Sequence, residues 1–336
     1  MRKEASIEAW KKLYDITLKL KEMEPWQVFG DSELIAVVPK GKEEPVFCSI
    51  MGKYSGNQGI AVFEGHEGLG DFYMLAGAQD CDLPLEYLMN EHSSLTCFVG
   101  SMMNVPQNQR EVIDQLDLRF KNIESWVYFV SYKKGYQPYL LDAEEVEFLT
   151  EIYENLYMAV QAVMNGELQA DFAGGEGIVR KYKEETGTWE MFANVIPNVE
   201  KEFPAVMLED EKLKKSLKKR PMLDLTVLLD FNYLPVTIEA KEGERPRNPL
   251  MFMAFDDDQN EIIAMDVLEE DDEEISRALG FFISFTEQHG RIGTIKARNP
   301  WIFGALQDIC EYCGVALVYD PVEKLDEIFK EVVDQL

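Results

Sequence analysis

The chain has 336 residues, of which 46% are hydrophobic and 11% aromatic, and this length predicts two domains. Its 62 acidic and 33 basic residues give a formal charge of -29, which disfavours nucleic acid as a partner because duplex binding depends on neutralising phosphates. The apolar runs fall far short of the ~20 residues that span a bilayer, so we predict no membrane segment.

The first residues and the cysteines both indicate the cytoplasm. Arg2, Lys3 and Glu4 stand where a secretory signal would lead into an apolar segment. The five cysteines are an odd number scattered over a long chain, which argues against a disulfide framework and for a reducing compartment. We therefore expect a cytoplasmic protein.

The N-terminal part has a mixed α and β pattern. Ile7, Trp10, Tyr14 and Leu18 are spaced for one face of a helix, which must end before Pro25. An antiparallel meander is predicted next, with strands at Leu34–Val38, Val46–Met51 and Gly59–Phe63. Further helices are expected near 67–78, 84–91 and 107–116, with strands at Leu95–Val99 and Trp126–Tyr132. We predict an α+β domain.

The clearest helix closes this domain. Asp142 can cap it, Glu145 completes a capping box, and Gly166 ends it. The glycine-rich stretch 165–177 that follows is typical of a linker. We predict an N-terminal domain at 1–168, a linker at 169–221 that contains a hairpin and a basic helix, and a C-terminal domain at 222–336.

The C-terminal part has the most informative order of elements. The predicted strands are Leu223–Leu229, Leu250–Phe255, Ile262–Val267, Ile292–Ala297 and Val315–Tyr319. Helices are predicted at 272–288, at 300–313 and after Asp320. Asn299 and Pro300 open the second of them as cap and first helical residue, and Gly314 ends it. Asp320 and Pro321 are predicted to open the third in the same way. The order βββαβαβα indicates an α/β domain.

This element order resembles the ribonuclease H-like fold, over residues 222–336 only. The chain also resembles uncharacterised bacterial proteins with domains of unknown function. The residues that suggest this second resemblance are Ile295-Lys296-Ala297-Arg298-Asn299-Pro300, Cys313-Gly314-Val315, the Trp10 to Trp26 helix-turn and Gly65-His66-Glu67-Gly68-Leu69. That family implies no activity.

The ribonuclease H-like resemblance implies a set of acidic residues that bind two divalent metals, Mg²⁺ or Mn²⁺. Asp224 or Asp230 would supply the first strand's acid. Glu273 or Glu274 would serve from the first helix, and Asp326 or Glu327 from the last.

The remaining position of that set departs from the pattern. Where an acid is expected after the fourth strand, the chain has Arg298 and Asn299. A cation there opposes Mg²⁺, which prefers carboxylates and water. The sequence therefore favours a scaffold without its metal chemistry.

Four other motifs have simpler structural interpretations. Cys310-x-x-Cys313 lacks the partners of a zinc site, and Gly65 to Gly70 does not have the GxGxxG spacing. Asp256, Asp258 and Asn260 resemble the first ligands of a calcium loop, but the sixth position is Glu261 where that loop needs glycine. This favours a hairpin turn. The cluster from Lys212 to Arg220 is interpreted as a solvated helix, although it could meet a phosphate backbone or an acidic partner.

We interpret the chain as a non-catalytic cytoplasmic binding or interaction protein with no cofactor. Its partner is left open by the sequence, and another protein is one candidate. The alternative is a nuclease dependent on Mg²⁺ or Mn²⁺ that uses Asp224, Asp230, Glu274 and Asp326.

Overall fold

The computed structural model describes residues 2–238, 244–269 and 272–336. The helices are α1 (Ile7–Glu22), α2 (Gly65–Ala76), α3 (Leu85–Asn90), α4 (Gln107–Gln115), α5 (Ala143–Met164), α6 (Glu211–Lys218), α7 (Glu274–Gln288), α8 (Pro300–Cys313) and α9 (Glu323–Val333). Within the described ranges, no helix combines the length and hydropathy needed to cross a membrane.

The strands form two separate sheets. They are β1 (Leu34–Val38), β2 (Val46–Met51), β3 (Gly59–Glu64), β4 (Ser94–Gly100), β5 (Trp126–Tyr132), β6 (Glu176–Lys183), β7 (Thr188–Val195), β8 (Thr226–Tyr233), β9 (Leu250–Asp256), β10 (Glu261–Val267), β11 (Thr294–Ala297) and β12 (Ala316–Tyr319). Each sheet belongs to one of two compact units. The mixed α+β class with two domains, predicted from the sequence, is confirmed.

The first unit comprises Met1–Gly77, Glu91–Lys201 and Ala240–Arg245. Its sheet has the order β5-β4-β3-β2-β1-β6-β7, and all neighbours are antiparallel except β1 and β6. Helices α1 and α5 cover one face and α2 covers the other, so apolar side chains of β1 to β3 are buried on both sides. The predicted meander and the capping box of α5 are confirmed.

The hairpin β6–β7 belongs to the first sheet and not to the predicted linker. Ile178 of β6 lies beside Ile35 of β1 and is fully buried in the same core. Pairing between strands so distant in sequence leaves no local signal, because turn residues reveal the hairpin but not its neighbour.

The second unit comprises Ala78–Asn90, Glu202–Glu239 and Pro246–Leu336. Its sheet has the order β10-β9-β8-β11-β12, in which β8, β9 and β10 form an antiparallel meander and β8, β11 and β12 are parallel. Helices α7 and α8 pack on one face with α3, and α9 packs on the other. The predicted element order βββαβαβα is present.

Three predictions that concern this unit need correction. Strand β8 begins at Thr226 and ends at Tyr233, so it lies later than the predicted Leu223–Leu229. Asp320 does not cap the last helix, because α9 is preceded by Val322 in the left-handed conformation, at φ 48°. Asp320 instead accepts a hydrogen bond from the Val322 backbone nitrogen at 2.9 Å. Residues 78–90 also belong to this unit and not to the predicted N-terminal domain.

Candidate functional site

The carboxyl ends of β8, β11 and β12 meet at one edge of the second sheet. In parallel α/β sheets, ligands bind outside this edge. Leu229 of β8 pairs with Ala297 of β11, so the residues that follow them, Asp230 and Arg298, lie side by side. Asp326 reaches the same place from the first turn of α9.

Arg298 connects these carboxylates. Its Nε and Nη2 donate to Oδ2 of Asp230 at 2.9 and 2.7 Å. Its Nη1 donates to Oδ2 of Asp326 at 2.9 Å, and its Nη2 donates to the other oxygen of the same carboxylate. Nη1 also donates to the backbone carbonyl of Asp82 at 2.9 Å. We call Arg298, Asp230, Asp326 and Asp82 the Arg298 cluster.

The cluster uses the whole guanidinium group. An arginine side chain has five N–H donors in a planar fork, and the five hydrogen bonds above engage each of them. The paired contacts with Asp326 are the bidentate geometry that makes arginine–carboxylate pairs strong. Arg298 therefore has no donor left for a ligand.

Burial and charge oppose each other at Asp230. Its side chain is fully buried, and burial raises the pKa of Asp230 to about 6 although the neighbouring Arg298 charge and its hydrogen bonds lower it. Burial lowers the pKa of Arg298, but the hydrogen bonds to Asp326 and the charges of both aspartates outweigh it, so that this pKa is raised. Arg298 thus stays charged, while the charge of Asp230 changes as the pH passes through about 6.

Asp82 and Tyr319 complete the edge, and neither is among the site residues predicted from the sequence. The hydroxyl of Tyr319, at the end of β12, donates to Oδ2 of Asp82 at 2.6 Å. This hydrogen bond, together with burial, raises the pKa of Tyr319 to about 12. Asp82 precedes Arg298 by 216 residues, so no spacing in the sequence could relate the two.

Asn299 serves the fold of α8. As predicted, it is the N-cap: its Oδ1 accepts from the Trp301 backbone nitrogen at 3.0 Å, and Pro300 follows at the first helical position. Its Nδ2 is buried and has no hydrogen-bond partner among the described residues, as is also true of Oδ1 of Asp230. The position where the ribonuclease H-like resemblance implies an acid therefore holds a cation and a helix cap.

The other two acids proposed for a metal site lie elsewhere. Asp224 is exposed and precedes β8, and Glu274 is the first residue of α7. The side-chain hydrogen bonds of Arg298 go to Asp230 and Asp326, not to these two. In the described part of the chain, no three His, Cys, Asp or Glu residues are grouped so that they could hold a metal ion.

The remaining motifs have structural roles. Cys310 and Cys313 are buried in α8, where burial raises the pKa of Cys310 to about 12. The turn at 256–260 is a hairpin turn in which Oδ1 of Asp256 accepts from the backbone nitrogens of Asp258 and Gln259. In the basic helix α6, Lys214 and Lys218 each lie within 5 Å of the centre of the Tyr312 ring, at 4.8 and 4.7 Å.

The glycines from Gly65 to Gly70 lie in the first turns of α2 and not in a loop. A Cβ on Gly68 would stand 2.9 Å from the carbonyl carbon of Phe63, and one on Gly70 would stand 3.0 Å from the Cα of Lys201. Close backbone packing therefore explains both residues.

Comparison with known families matches the chain in two places. The model of the domain of unknown function DUF7309 matches residues 10–180, just over half of the chain. The model of the domain of unknown function DUF6930 matches residues 213–333. No curated protein matches the chain.

The chain belongs to the DUF7309 family. Its C-terminal part also matches the model of a second domain of unknown function, DUF6930. The expected resemblance to proteins with domains of unknown function is thereby confirmed.

Proposed function

We propose that this chain is a non-catalytic, cytoplasmic binding or interaction protein from a bacterium. Its second unit would be a ribonuclease H-like scaffold in which an ion-pair cluster replaces the metal centre. The fold supports this because the sheet joins an antiparallel meander to parallel βα units.

One observation carries the proposal: Arg298 lies between Asp230 and Asp326, and its donors are all used by these two carboxylates and the Asp82 carbonyl. Two divalent metals would have to replace a guanidinium that is held by two carboxylates and a carbonyl. A metal centre needs free carboxylate oxygens, whereas both oxygens of Asp326 and one of Asp230 are bonded to Arg298. The cluster accordingly supports a structural role.

The rival function is a metal-dependent nuclease. It is favoured by the placement of Asp230 and Asp326 at the carboxyl edge of the parallel strands, where ligand sites of such sheets occur. It requires Arg298 to leave the cluster when metal binds. The two functions therefore differ in a measurable response to metal.

The test compares the wild-type chain with Asp230→Asn. Thermal unfolding is followed with and without Mn²⁺ or Mg²⁺, and hydrolysis of single-stranded DNA, duplex DNA and an RNA–DNA hybrid is measured in parallel. We expect that neither metal raises the melting temperature of the wild type more than that of Asp230→Asn. We also expect no hydrolysis of any of the three nucleic acids. A rise of several degrees that disappears in Asp230→Asn, together with hydrolysis that disappears with it, would establish the nuclease instead.

A further inference from the structure

A polar pocket of about 460 Å³ lies in the first unit, where α5 faces the hairpin β6–β7. Its residues divide by element and by charge. From α5 come Glu151, Glu154, Asn155 and Met158, and from the strands and the turn after β1 come Lys40, Arg180, Tyr182 and Trp189. One wall therefore has two carboxylates, and the other has two cations and two aromatic rings.

The strand wall is an ordered row. Arg180 and Tyr182 are two residues apart on β6 and share a face, and Trp189 lies directly opposite Tyr182 on β7. The two rings meet edge to face, with centroids 5.4 Å apart. The Arg180 guanidinium lies 4.9 Å from the centre of the Trp189 ring, and the Lys40 ammonium lies 5.6 Å from that of Tyr182. A cation thus stands at each end of the two rings.

Arg180 is fixed but not neutralised. Its Nε donates to Oδ1 of Asn155 at 2.9 Å, and Asn155 is 7% exposed and is held in turn by its own bond to the Glu151 carbonyl. The four remaining N–H donors of Arg180 have no hydrogen bond or ion pair within residues 2–238, 244–269 and 272–336. Partial burial lowers the pKa of Arg180. An anion bound here would supply the missing counter-charge.

The helix wall offers the opposite charge. Glu151 and Glu154 are three residues apart on α5, so they lie on one face of the helix. Both are exposed, and neither forms an ion pair with another described residue. Met158, one turn after Glu154, is 43% exposed and adds an apolar surface. This wall suits a cationic group with an apolar neighbour.

We propose that this pocket binds a small zwitterion of the amino-acid class. Its carboxylate would contact Arg180 and Lys40, its ammonium would contact Glu151 and Glu154, and its side chain would lie against Met158 and the rings. A simple anion would contact only the cationic wall. The four charged side chains among the described lining residues have a formal sum of zero, which suits a ligand that is itself neutral overall. The inference rests on the proposed binding function and names its ligand class.

The test is calorimetric titration of the full chain with a panel of the standard free amino acids. The tightest binder is then compared with its amide, which lacks the carboxylate, and with its N-acetyl derivative, which lacks the ammonium. We expect saturable binding that is weaker by about tenfold or more for each derivative, equivalent to ~1.4 kcal/mol. Arg180→Gln should weaken the free amino acid to the level of the amide, and Glu154→Gln should weaken it to the level of the N-acetyl form.

Two control variants change the net charge by the same amount as the test variants but lie outside the pocket. Lys181→Gln lies next to Arg180 on the opposite face of β6, and Glu147→Gln lies on α5 one turn before Glu151, outside the pocket. Both should bind like the wild type, and thermal unfolding should show that every variant is folded.

The proposal is overturned if no amino acid binds the folded wild type, or if Arg180→Gln binds as the wild type does. In the second case the row of cations and rings only stabilises the hairpin. Metal-dependent hydrolysis would contradict the proposed function and leave this titration unaffected, so the two failures can be told apart.

Discussion

Asp230 shows how one buried residue combines opposing electrostatic effects. Three donors, the Nε and Nη2 of Arg298 and the Nδ2 of Asn232, point at its Oδ2, while its Oδ1 has no partner in the described structure. Burial of this carboxylate outweighs its pairing with Arg298 and raises its pKa to about 6. The folded protein therefore binds a proton at Asp230 more tightly than the unfolded chain does.

This difference predicts how stability depends on pH. Because the pKa of Asp230 is about 6 in the fold and about 3.9 in an unfolded chain, the contribution of Asp230 to stability is greatest below pH ~4 and falls as pH rises to ~6. Asp230→Asn keeps an acceptor for Arg298 and removes the titration. The variant should lose this pH dependence and be as stable as the wild type, or more stable, at pH ~7.5.

The measurement is urea unfolding from pH ~4 to ~7.5. Arg298→Met is the contrasting variant, because it leaves the Asp230 carboxylate buried without its partner and should cost about 3–5 kcal/mol at pH ~7.5. A large loss of stability in Asp230→Asn at neutral pH would contradict the explanation that burial of the Asp230 carboxylate outweighs its pairing with Arg298.

At the scale of elements, helix α8 packs closely against the segment 203–206. The backbone nitrogen of Val206 donates to the carbonyl of Gly304 at 2.9 Å, and the ring of Phe203 meets that of Trp301 edge to face. A Cβ at position 304 would stand 2.3 Å from the carbonyl oxygen of Pro204. Only glycine allows this approach.

Gly304→Ala should therefore lower the free energy of unfolding by about 1–3 kcal/mol, since backbone atoms have to move apart. Gly280 provides the control, because it lies in α7 and, apart from its chain neighbours and the backbone of its own helix, no described heavy atom would lie within 4 Å of a Cβ there. Gly280→Ala should raise stability by about 0.4–1 kcal/mol through the unfolded chain. Equal effects at the two positions, measured by urea unfolding, would show that the contact at Gly304 is not required.

The elements also show what the sequence can and cannot reveal. Helix α8 was predicted to the residue, because Asn299, Pro300 and Gly314 are local signals for its two ends. Strand β8 was placed too early because the apolar run ends at Leu229, yet Asp230 and Asn232 continue the strand inside the core. A buried carboxylate contradicts the hydrophobic pattern and is possible here because Arg298 is paired with it, 68 residues later.

The candidate site divides in the same way. Asp230, Arg298 and Asp326 could be named from the order of elements, but their union in an ion-pair cluster depends on side-chain geometry. Asp82 and Tyr319 could not be found, since their contact joins residues 237 apart. The pocket beside α5 was likewise invisible, because it requires the pairing of β6 with β1.

For the whole molecule, the formal charge of -29 affects the stability of the fold. Like charges repel more strongly in the compact state than in the expanded chain, so the fold is destabilised by its own field. Salt shortens the range of this repulsion from about 30 Å at 0.01 M to about 8 Å at 0.15 M. We therefore expect the melting temperature to rise between these two ionic strengths.

Differential scanning calorimetry can test this, with an expected gain of about 2–4 °C for each kcal/mol of repulsion removed. Sodium chloride and tetramethylammonium chloride should act equally if screening is the cause. A melting temperature that falls with both salts would show that attractive ion pairs, such as those of the Arg298 cluster, dominate instead.

The placement of residues 78–90 has a consequence for inheritance. This segment lies inside the stretch that matches DUF7309, yet its Asp82 and Tyr87 belong to the unit that contains the DUF6930 match. A gene that encoded residues 213–333 alone would lack the carbonyl that bonds Arg298 and the ring that packs on Tyr233. Recombination between the two matched regions would thus separate residues that contact each other within the second unit. We expect descendants of this chain to keep both matched regions together, in this order.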